Sequence, residues 1–227
     1  MTISTITAKR FTIEEYERLA QLGFFKENDR VELIKGEIIL MAAKGTPHAV
    51  CETRLERELN KLIGERATLR GQLPIIIPDI SEPEPDRVIA KNRDDDYLNS
   101  HPTSEDVLLL IEISDSTLKF DQEEKLPLYA EAGIKYYWIF NLADNYLEMY
   151  SDAIQDLQGK FTYRRKEILL PNETVIIPCF PDLTMVPKPE TSKALTIVAI
   201  NPIETFFAPP IASFGKPQIM QSEPKFL

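Results

Sequence analysis

The sequence predicts an α/β fold in which a mixed central β-sheet is flanked by helices. Three observations lead to this prediction. Residues 107–111 form a continuous apolar run, which is typical of a strand buried on both faces. Residues 12–22 and 46–63 combine helix-capping residues with apolar side chains at helical spacing. Residues 135–140 are rich in aromatic side chains and favour a further strand.

The first two helices have recognisable beginnings. Thr12 and Glu15 are spaced as a capping box, in which each side chain accepts a backbone N–H of the other residue. In the second helix Thr46 is the expected N-cap and Pro47 the first helical residue. Its inner face carries Leu55, Leu59, Leu62 and Ile63. The charged residues on its other faces are expected to be solvated.

A third helix is expected between the apolar strand and the aromatic strand. Asp115 or Ser116 can cap it, and the helical pattern reaches Ala132. Pro127 lies inside this stretch and lacks a backbone N–H, so it either kinks the helix or lies in a new first turn. Lys125 is on this element, with Asp121 as its expected i, i+4 partner and Tyr129 as an expected core aromatic.

Short strands account for most of the remaining chain. A hairpin is expected over residues 30–41, where a Lys-Gly pair forms the tight turn. Its first strand carries Glu32, for which an exposed edge position is the alternative to a role in a site. Further strands are expected over residues 68–77, 146–150, 161–165 and 174–177. The 146–150 strand is expected to pair with the 135–140 strand across the Ala-Asp-Asn turn at residues 143–145.

The composition changes near residue 188, which divides the chain into a domain of residues 1–187 and a Pro-rich tail of residues 188–227. Six of the 17 prolines lie in this tail, which shows little helical or strand periodicity. We expect it to be extended or disordered. Its phenylalanines leave open that it lies along the domain or docks on the partner in a homodimer.

Composition restricts the class of protein. The net charge of −10 argues against an extended basic face for non-specific nucleic-acid binding, although it does not exclude a local basic groove. Two cysteines give no disulfide framework and favour a reducing compartment. The N-terminus has no signal-peptide pattern, and no apolar run is long enough to cross a bilayer. A cytoplasmic protein without a membrane partner is therefore expected.

Acidic residues lie where two buried strands begin or end. Asp86 follows a proline and precedes the apolar Val-Ile-Ala of one strand, and Glu112 closes the 107–111 run. A carboxylate at such a position is costly to bury unless a positive group meets it. Two such acids, with Lys125 on the next element, can hold a divalent metal and place a cation beside its water. His48, in the first turn of the second helix, is a weaker candidate, because a lone histidine is more often structural.

Several segments of the chain form motifs in a fixed order: Val-Glu-Leu-Ile-Lys-Gly-Glu at residues 31–37, Pro-His at 47–48, Glu-Pro-Asp at 84–86, Glu-Ile-Ser-Asp-Ser-Thr at 112–117, Asp121 with Lys125 and Tyr129, Ala-Gly-Ile at 132–134, and Tyr-Trp at 137–138. In this order and spacing they resemble the Uma2-type (DUF820) family, within the PD-(D/E)XK nuclease superfamily. The resemblance extends from residue 11 to about residue 186.

The resemblance implies a restriction-endonuclease-like sheet and a Mg²⁺-dependent endonuclease acting on DNA, with Mn²⁺ as a substitute. It implies that Asp86 and Glu112 bind the metal and that Glu32 is an additional site acid. Ser114 occupies the position where the superfamily has lysine, and Lys125 is expected to replace that lysine. His48 and Ser114 are accessory candidates. The alternative is a catalytically inactive nuclease-fold module that binds nucleic acid or protein.

Overall fold

A computed structural model describes residues 7–26, 28–191 and 194–200 of the chain. The helices are α1 (Ile13–Gln21), α2 (Thr46–Ile63), a 3₁₀ turn (Gly64–Arg66), α3 (Leu118–Phe120), a π-helical turn (Asp121–Lys125) and α4 (Leu126–Glu131). The strands are β1 (Val31–Ile34), β2 (Glu37–Leu40), β3 (Thr68–Arg70), β4 (Arg87–Ala90), β5 (Val107–Ser114), β6 (Tyr136–Asn141), β7 (Tyr146–Gln155), β8 (Phe161–Leu169), β9 (Val175–Ile177), β10 (Phe180–Thr191) and β11 (Ala194–Ile200).

The main sheet has six strands in the order β3-β4-β5-β6-β7-β8. Only β5 and β6 are parallel, and the helical segment α3–α4 makes the crossover between them. All other neighbours in this sheet are antiparallel, so the predicted mixed α/β class is confirmed. A two-stranded sheet, β1-β2, and a three-stranded sheet, β11-β10-β9, complete the described chain.

The two faces of β5 pack against different elements, as expected for a buried central strand. Leu109 and Ile111 belong to the core that also contains Leu55 and Leu59 of α2. Leu110 belongs to the core on the opposite face, together with residues of α4. Successive residues of a strand alternate between faces, so Glu112 points to the same side as Leu110. The alternation therefore directs Glu112 toward the α3–α4 segment.

The predicted α1 capping box and the β1-β2 hairpin are confirmed. Thr12 accepts the Glu15 N–H, and the Glu15 carboxylate accepts the Thr12 N–H. Both turn residues of the hairpin, Lys35 and Gly36, have positive φ, as a type I′ turn requires. The predicted pairing of the 135–140 and 146–150 segments is also confirmed as β6-β7.

Two local predictions were wrong. Gly45, not Thr46, is the N-cap of α2, and Thr46 already lies within the helix. The strand expected over residues 68–77 ends at Arg70. Gln72 has a φ of 51°, which turns the chain away from the sheet.

The helical segment before β6 contains a π-helical turn. Thr117, rather than Asp115 or Ser116, is the N-cap of α3, the first helix of this segment. Pro127 lies in the first turn of α4, which agrees with one of the two expected alternatives. Proline has no N–H to donate to the carbonyl four residues earlier. The turn before Pro127 is wider than an α-helical turn, and in it the Leu126 N–H bonds the carbonyl of Asp121, five residues earlier. This turn ends at Lys125.

The chain remains in a strand past the predicted domain boundary. β10 runs through Pro187 and Lys188 to Thr191 and pairs with β11 in an antiparallel hairpin. The sequence shows little strand periodicity after residue 188, yet a strand forms there. Its backbone pairs with β11, and this pairing does not require an alternating side-chain pattern. Residues 201–227 lie outside the described residues, and the division into domain and tail stays a prediction. No helix of the described ranges combines the length and apolar character needed to traverse a bilayer.

Candidate active site

Asp86 is oriented by three donors. It lies directly before β4 and is only 6% exposed. Its Oδ1 accepts a hydrogen bond from Lys44 Nζ at 2.7 Å. Its Oδ2 accepts from the Ile113 N–H at 2.8 Å and pairs with His48 Nε2 at 3.0 Å. The predicted accessory residue His48 therefore contacts the motif aspartate.

Glu112 lies beside Asp86 because β4 and β5 are neighbours in the sheet. Its Oε2 accepts the Asp86 N–H at 3.3 Å, and its Oε1 accepts from Lys125 Nζ and the Tyr129 hydroxyl, each at 3.0 Å. Tyr129 was expected to be a core aromatic, and it is fully buried, but it also donates to this carboxylate. The two motif acids are thus linked through one peptide N–H.

Lys125 lies between two carboxylates in the interior. Its Nζ is 3.0 Å from Glu112 Oε1 and 3.2 Å from Glu32 Oε1, and its side chain is 1% exposed. The other oxygen of Glu32 accepts the Glu84 N–H at 2.9 Å. The alternative of an exposed edge position for Glu32 is wrong, because this residue is completely buried. The structure therefore brings Glu32 to the same cluster as Lys125.

Burial and neighbouring charges shift the pKa values of all three motif residues. Burial alone would raise the pKa of Asp86, but His48 and Lys44 outweigh it and hold that pKa well below its usual value. Burial raises the pKa of Glu112 to about 8, although the charge of Lys125 opposes the rise. Burial tends to lower the pKa of Lys125, but the adjacent carboxylates outweigh burial and raise it. Lys125 is therefore a permanent cation at neutral pH.

Ser114 lies near the cluster, and its hydroxyl bonds Asp121 rather than donating to a motif acid. Its hydroxyl donates to Asp121 Oδ2 at 2.6 Å, and the Thr117 hydroxyl donates to the same oxygen at 2.8 Å. Asp121 was expected to pair with Lys125 at i, i+4. It accepts hydrogen bonds from these hydroxyls instead. Burial raises the pKa of Asp121, and the nearby charge of Lys125 opposes that rise. Ser114 thus holds Asp121 in place beside the site.

Sequence reasoning did not single out Lys44 or Glu52. Lys44 lies on the connection between β2 and α2, where no motif or periodicity indicates a role. Glu52 is one turn after His48 on α2, so helical spacing contained a signal. Its carboxylate lies 4.0 Å from Lys44 Nζ and 3.5 Å from Arg87 Nη2. These residues extend the charged cluster from the sheet edge along α2.

The expected solvated face of α2 is only partly solvated. Glu56 is half-exposed and binds Arg87 Nη2 at 2.7 Å. Glu58 is buried, with its Oε1 at 2.9 Å from Lys61 Nζ and 3.1 Å from Arg57 Nε. The sequence pattern does not predict this burial, because burial depends on which residues of other elements pack against each face of the helix.

A cavity opens over the cluster. Its lining includes Lys44, His48, Asp86, Glu112 and Lys125. Within the described ranges no three His, Cys, Asp or Glu side chains are grouped as a ready-made metal site. The donor set nevertheless fits Mg²⁺, which binds one or two carboxylates and completes its shell with water and substrate phosphate. That Asp86 already binds an ammonium shows that its position suits a cation. Asp86 and Glu112 are the residues that would hold the metal.

Comparisons with known proteins agree with the architecture. The model of the Uma2 family, described as "Putative restriction endonuclease", matches residues 13–188. The fold is similar to that of a putative nuclease belonging to DUF820 from Anabaena variabilis ATCC 29413, with a TM-score of 0.55 and 16% sequence identity. That match covers 75% of this chain and 91% of the other. No curated protein sequence matches the chain.

Proposed function

The chain belongs to the Uma2 family, and from this premise we propose that it is an endonuclease that hydrolyses phosphodiester bonds of DNA with Mg²⁺, for which Mn²⁺ can substitute. One observation carries the proposal: Asp86, Glu112 and Lys125, which are distant in sequence, line one cavity. Such a combination of two carboxylates and a cation suits the hydrolysis of a phosphate ester.

Each residue of the cluster has a defined task in this proposal. Asp86 and Glu112 hold the metal, which supplies Lewis acidity at the phosphoryl group when bound. Lys125 stabilises the negative charge that develops as a water oxygen bonds to phosphorus and the phosphorus–O3′ bond breaks. Glu32 fixes the Lys125 ammonium, and His48 orients Asp86. The expected products are a 5′-phosphate and a 3′-hydroxyl, which takes up the proton released by the water.

The protein's acidity does not contradict a DNA substrate at this site. The net charge is −10, but the cavity is also lined by Arg30 and Lys44. These cations, together with a bound metal, offset the acids of the cluster locally. Cleavage is therefore expected to depend on the metal for substrate binding as well as for the chemical step.

A second function is supported by a specific observation. Ser114 replaces the lysine of the superfamily pattern, and the Lys44 ammonium pairs with Asp86. A nuclease-fold module that binds nucleic acid or protein without cleaving it would keep this arrangement. The two functions differ in their need for a divalent ion.

Digestion of plasmid DNA and single-stranded DNA with Mg²⁺ or Mn²⁺ tests the proposal. Asp86→Asn, Glu112→Gln and Lys125→Met are expected to lower the cleavage rate on the order of 10²-fold or more. Lys119→Met is the matched control for the lysine, because its side chain is 83% exposed on the same helical segment. Glu123→Gln, 62% exposed, is the control for the acids.

Two outcomes would contradict the proposal. Equal cleavage by the wild-type protein and all three site variants would indicate a contaminating nuclease. No cleavage, combined with no calorimetric heat on titration with millimolar Mn²⁺, would favour the non-catalytic module. Circular dichroism must show that each variant is folded before its rate is interpreted.

A further inference from the structure

We propose that Lys44 is the resident counter-ion of Asp86, that a divalent metal must displace it, and that the released ammonium then binds a phosphate of the substrate. This inference rests on the proposed function, since it takes Asp86 to be a metal ligand. It assigns a role to a residue that belongs to none of the motifs found in the sequence.

The geometry at Asp86 leaves one position for a cation. Oδ2 is engaged by His48 and by the Ile113 N–H, which are held by α2 and β5. Oδ1 has the Lys44 ammonium at 2.7 Å. A metal ion bound to Oδ1 would therefore meet this ammonium at a distance where two positive charges repel each other strongly. Metal binding must separate Lys44 from Asp86.

The two site lysines differ in their freedom to move. Lys125 is 1% exposed, belongs to a helical turn and lies between two carboxylates. Lys44 is 20% exposed and follows β2 on a connection without regular structure. Its four-carbon side chain carries a compact ammonium that can rotate to a new partner. Lys44 is thus the cation that can leave, and Lys125 is the one that stays.

The cavity defines where a released ammonium can go. Besides Asp86, the carboxylate of Glu52 is also near Lys44, with its Oε2 4.0 Å from Nζ. Glu52 is already engaged by Gln72 and lies 3.5 Å from Arg87 Nη2. A phosphate of a nucleic-acid backbone entering the cavity would bring the ammonium a charged oxygen acceptor that these groups do not already engage.

This exchange couples metal binding to substrate binding. Without substrate, Lys44 competes with the metal for Asp86 and raises the metal concentration that is needed. With substrate, the phosphate binds Lys44 and removes the competition. The coupling is reciprocal by thermodynamic necessity, so metal also strengthens substrate binding.

Calorimetric titration of the full-length protein with Mn²⁺ alone tests the competition. We expect Lys44→Met to bind Mn²⁺ about tenfold or more tightly than wild type, because a nearby positive charge is removed. Lys44→Arg keeps the charge and should bind Mn²⁺ as weakly as wild type. Lys61→Met is the matched control, since it removes one lysine charge near the far end of α2, roughly 20 Å from His48 along the helix.

The second arm measures cleavage kinetics of a linear DNA duplex at saturating Mn²⁺. Loss of the phosphate contact in Lys44→Met should raise KM about tenfold, with a smaller change in kcat. Unchanged KM would overturn the phosphate contact of Lys44. Thermal unfolding confirms that each variant is folded.

The outcomes separate this inference from the proposed function. Equal Mn²⁺ affinity of wild type and Lys44→Met would overturn the competition, while metal-dependent cleavage by both would leave the endonuclease standing. Binding of Mn²⁺ by Lys44→Met but not by wild type would support the competition in its strongest form. If neither protein binds Mn²⁺, both this inference and the metal-dependent function are wrong.

Discussion

Replacing Lys125 by methionine removes the ammonium that neutralises two buried carboxylates, and it keeps an unbranched side chain of similar length. Nζ lies 3.0 Å from Glu112 and 3.2 Å from Glu32. Both acids are buried, so solvent does not compensate the charges that remain. The variant therefore tests whether the cluster is an ion-paired unit of the folded protein.

The expected loss of stability is large for one substitution. Removing one partner of a buried ion pair costs about 3–5 kcal/mol. In a chain of this size each kcal/mol lowers the Tm by about 2–4 °C, so Lys125→Met should lower the Tm by about 6–20 °C at about pH 9, where Glu112 is ionised in the wild type. Burial raises the pKa of Glu112 to about 8, and losing the opposing charge of Lys125 raises this pKa further. Below that pKa Glu112 is protonated in both proteins and needs no cation, so the loss should be smaller at about pH 5.5.

Thermal and urea unfolding can be followed by the fluorescence of Trp138, the single tryptophan, which is buried against α2 in the core. Lys119→Met is the matched control and should unfold like wild type. Adding Glu112→Gln to Lys125→Met should recover part of the stability, because one unpaired charge is removed. A loss below about 1 kcal/mol, the value of an exposed pair, would refute the reasoning. So would an equal loss at both pH values.

Three further predictions concern single residues. The raised pKa of Glu112 favours the protonated form in the folded state, so the contribution of Glu112 to stability falls as pH rises toward 8. Urea unfolding should therefore show that the free energy of unfolding of the wild type, relative to Glu112→Gln, falls by up to about 1.4 kcal/mol per pH unit from pH 5 to pH 7.5. Parallel pH profiles would contradict this. Gly71→Ala places a Cβ 1.5 Å from Nη1 of Arg87. The substitution should lower the free energy of unfolding by about 1–3 kcal/mol. An unchanged Tm would show that the Arg87 guanidinium moves away without cost. His48→Ala should lower DNA cleavage about 10–100-fold, as loss of a ligand-orienting partner does, whereas a His101→Ala control with the same loss would exclude a specific role.

Much of the local structure could be predicted because its causes lie within a few residues. The capping box of α1, the tight turn after β1 and the pairing of β6 with β7 depend on neighbouring side chains and short connections. The early end of β3 could not be predicted. It depends on the positive φ of Gln72, which no residue pattern in this stretch indicates.

The candidate site was predictable to the extent that its residues carry motifs. Asp86, Glu112 and Lys125 were singled out from their positions at strand ends and on the next helix, and the structure brings them together with Glu32 and His48. Their catalytic and metal-binding roles stay predictions. Lys44 was not found, because it lies in a connection and its importance depends on an atom 42 residues away.

The alternation of β5 and the order of acids and lysine along the chain follow from the sequence alone. This alternation places Glu112 on the face of the sheet that points away from α2. Only the tertiary structure decided which cation neutralises which acid. Lys125 is enclosed between Glu112 and Glu32, and Lys44 is the partner of Asp86. The physical reason is that ion pairing depends on distances through space and on burial, and neither follows from spacing along the chain.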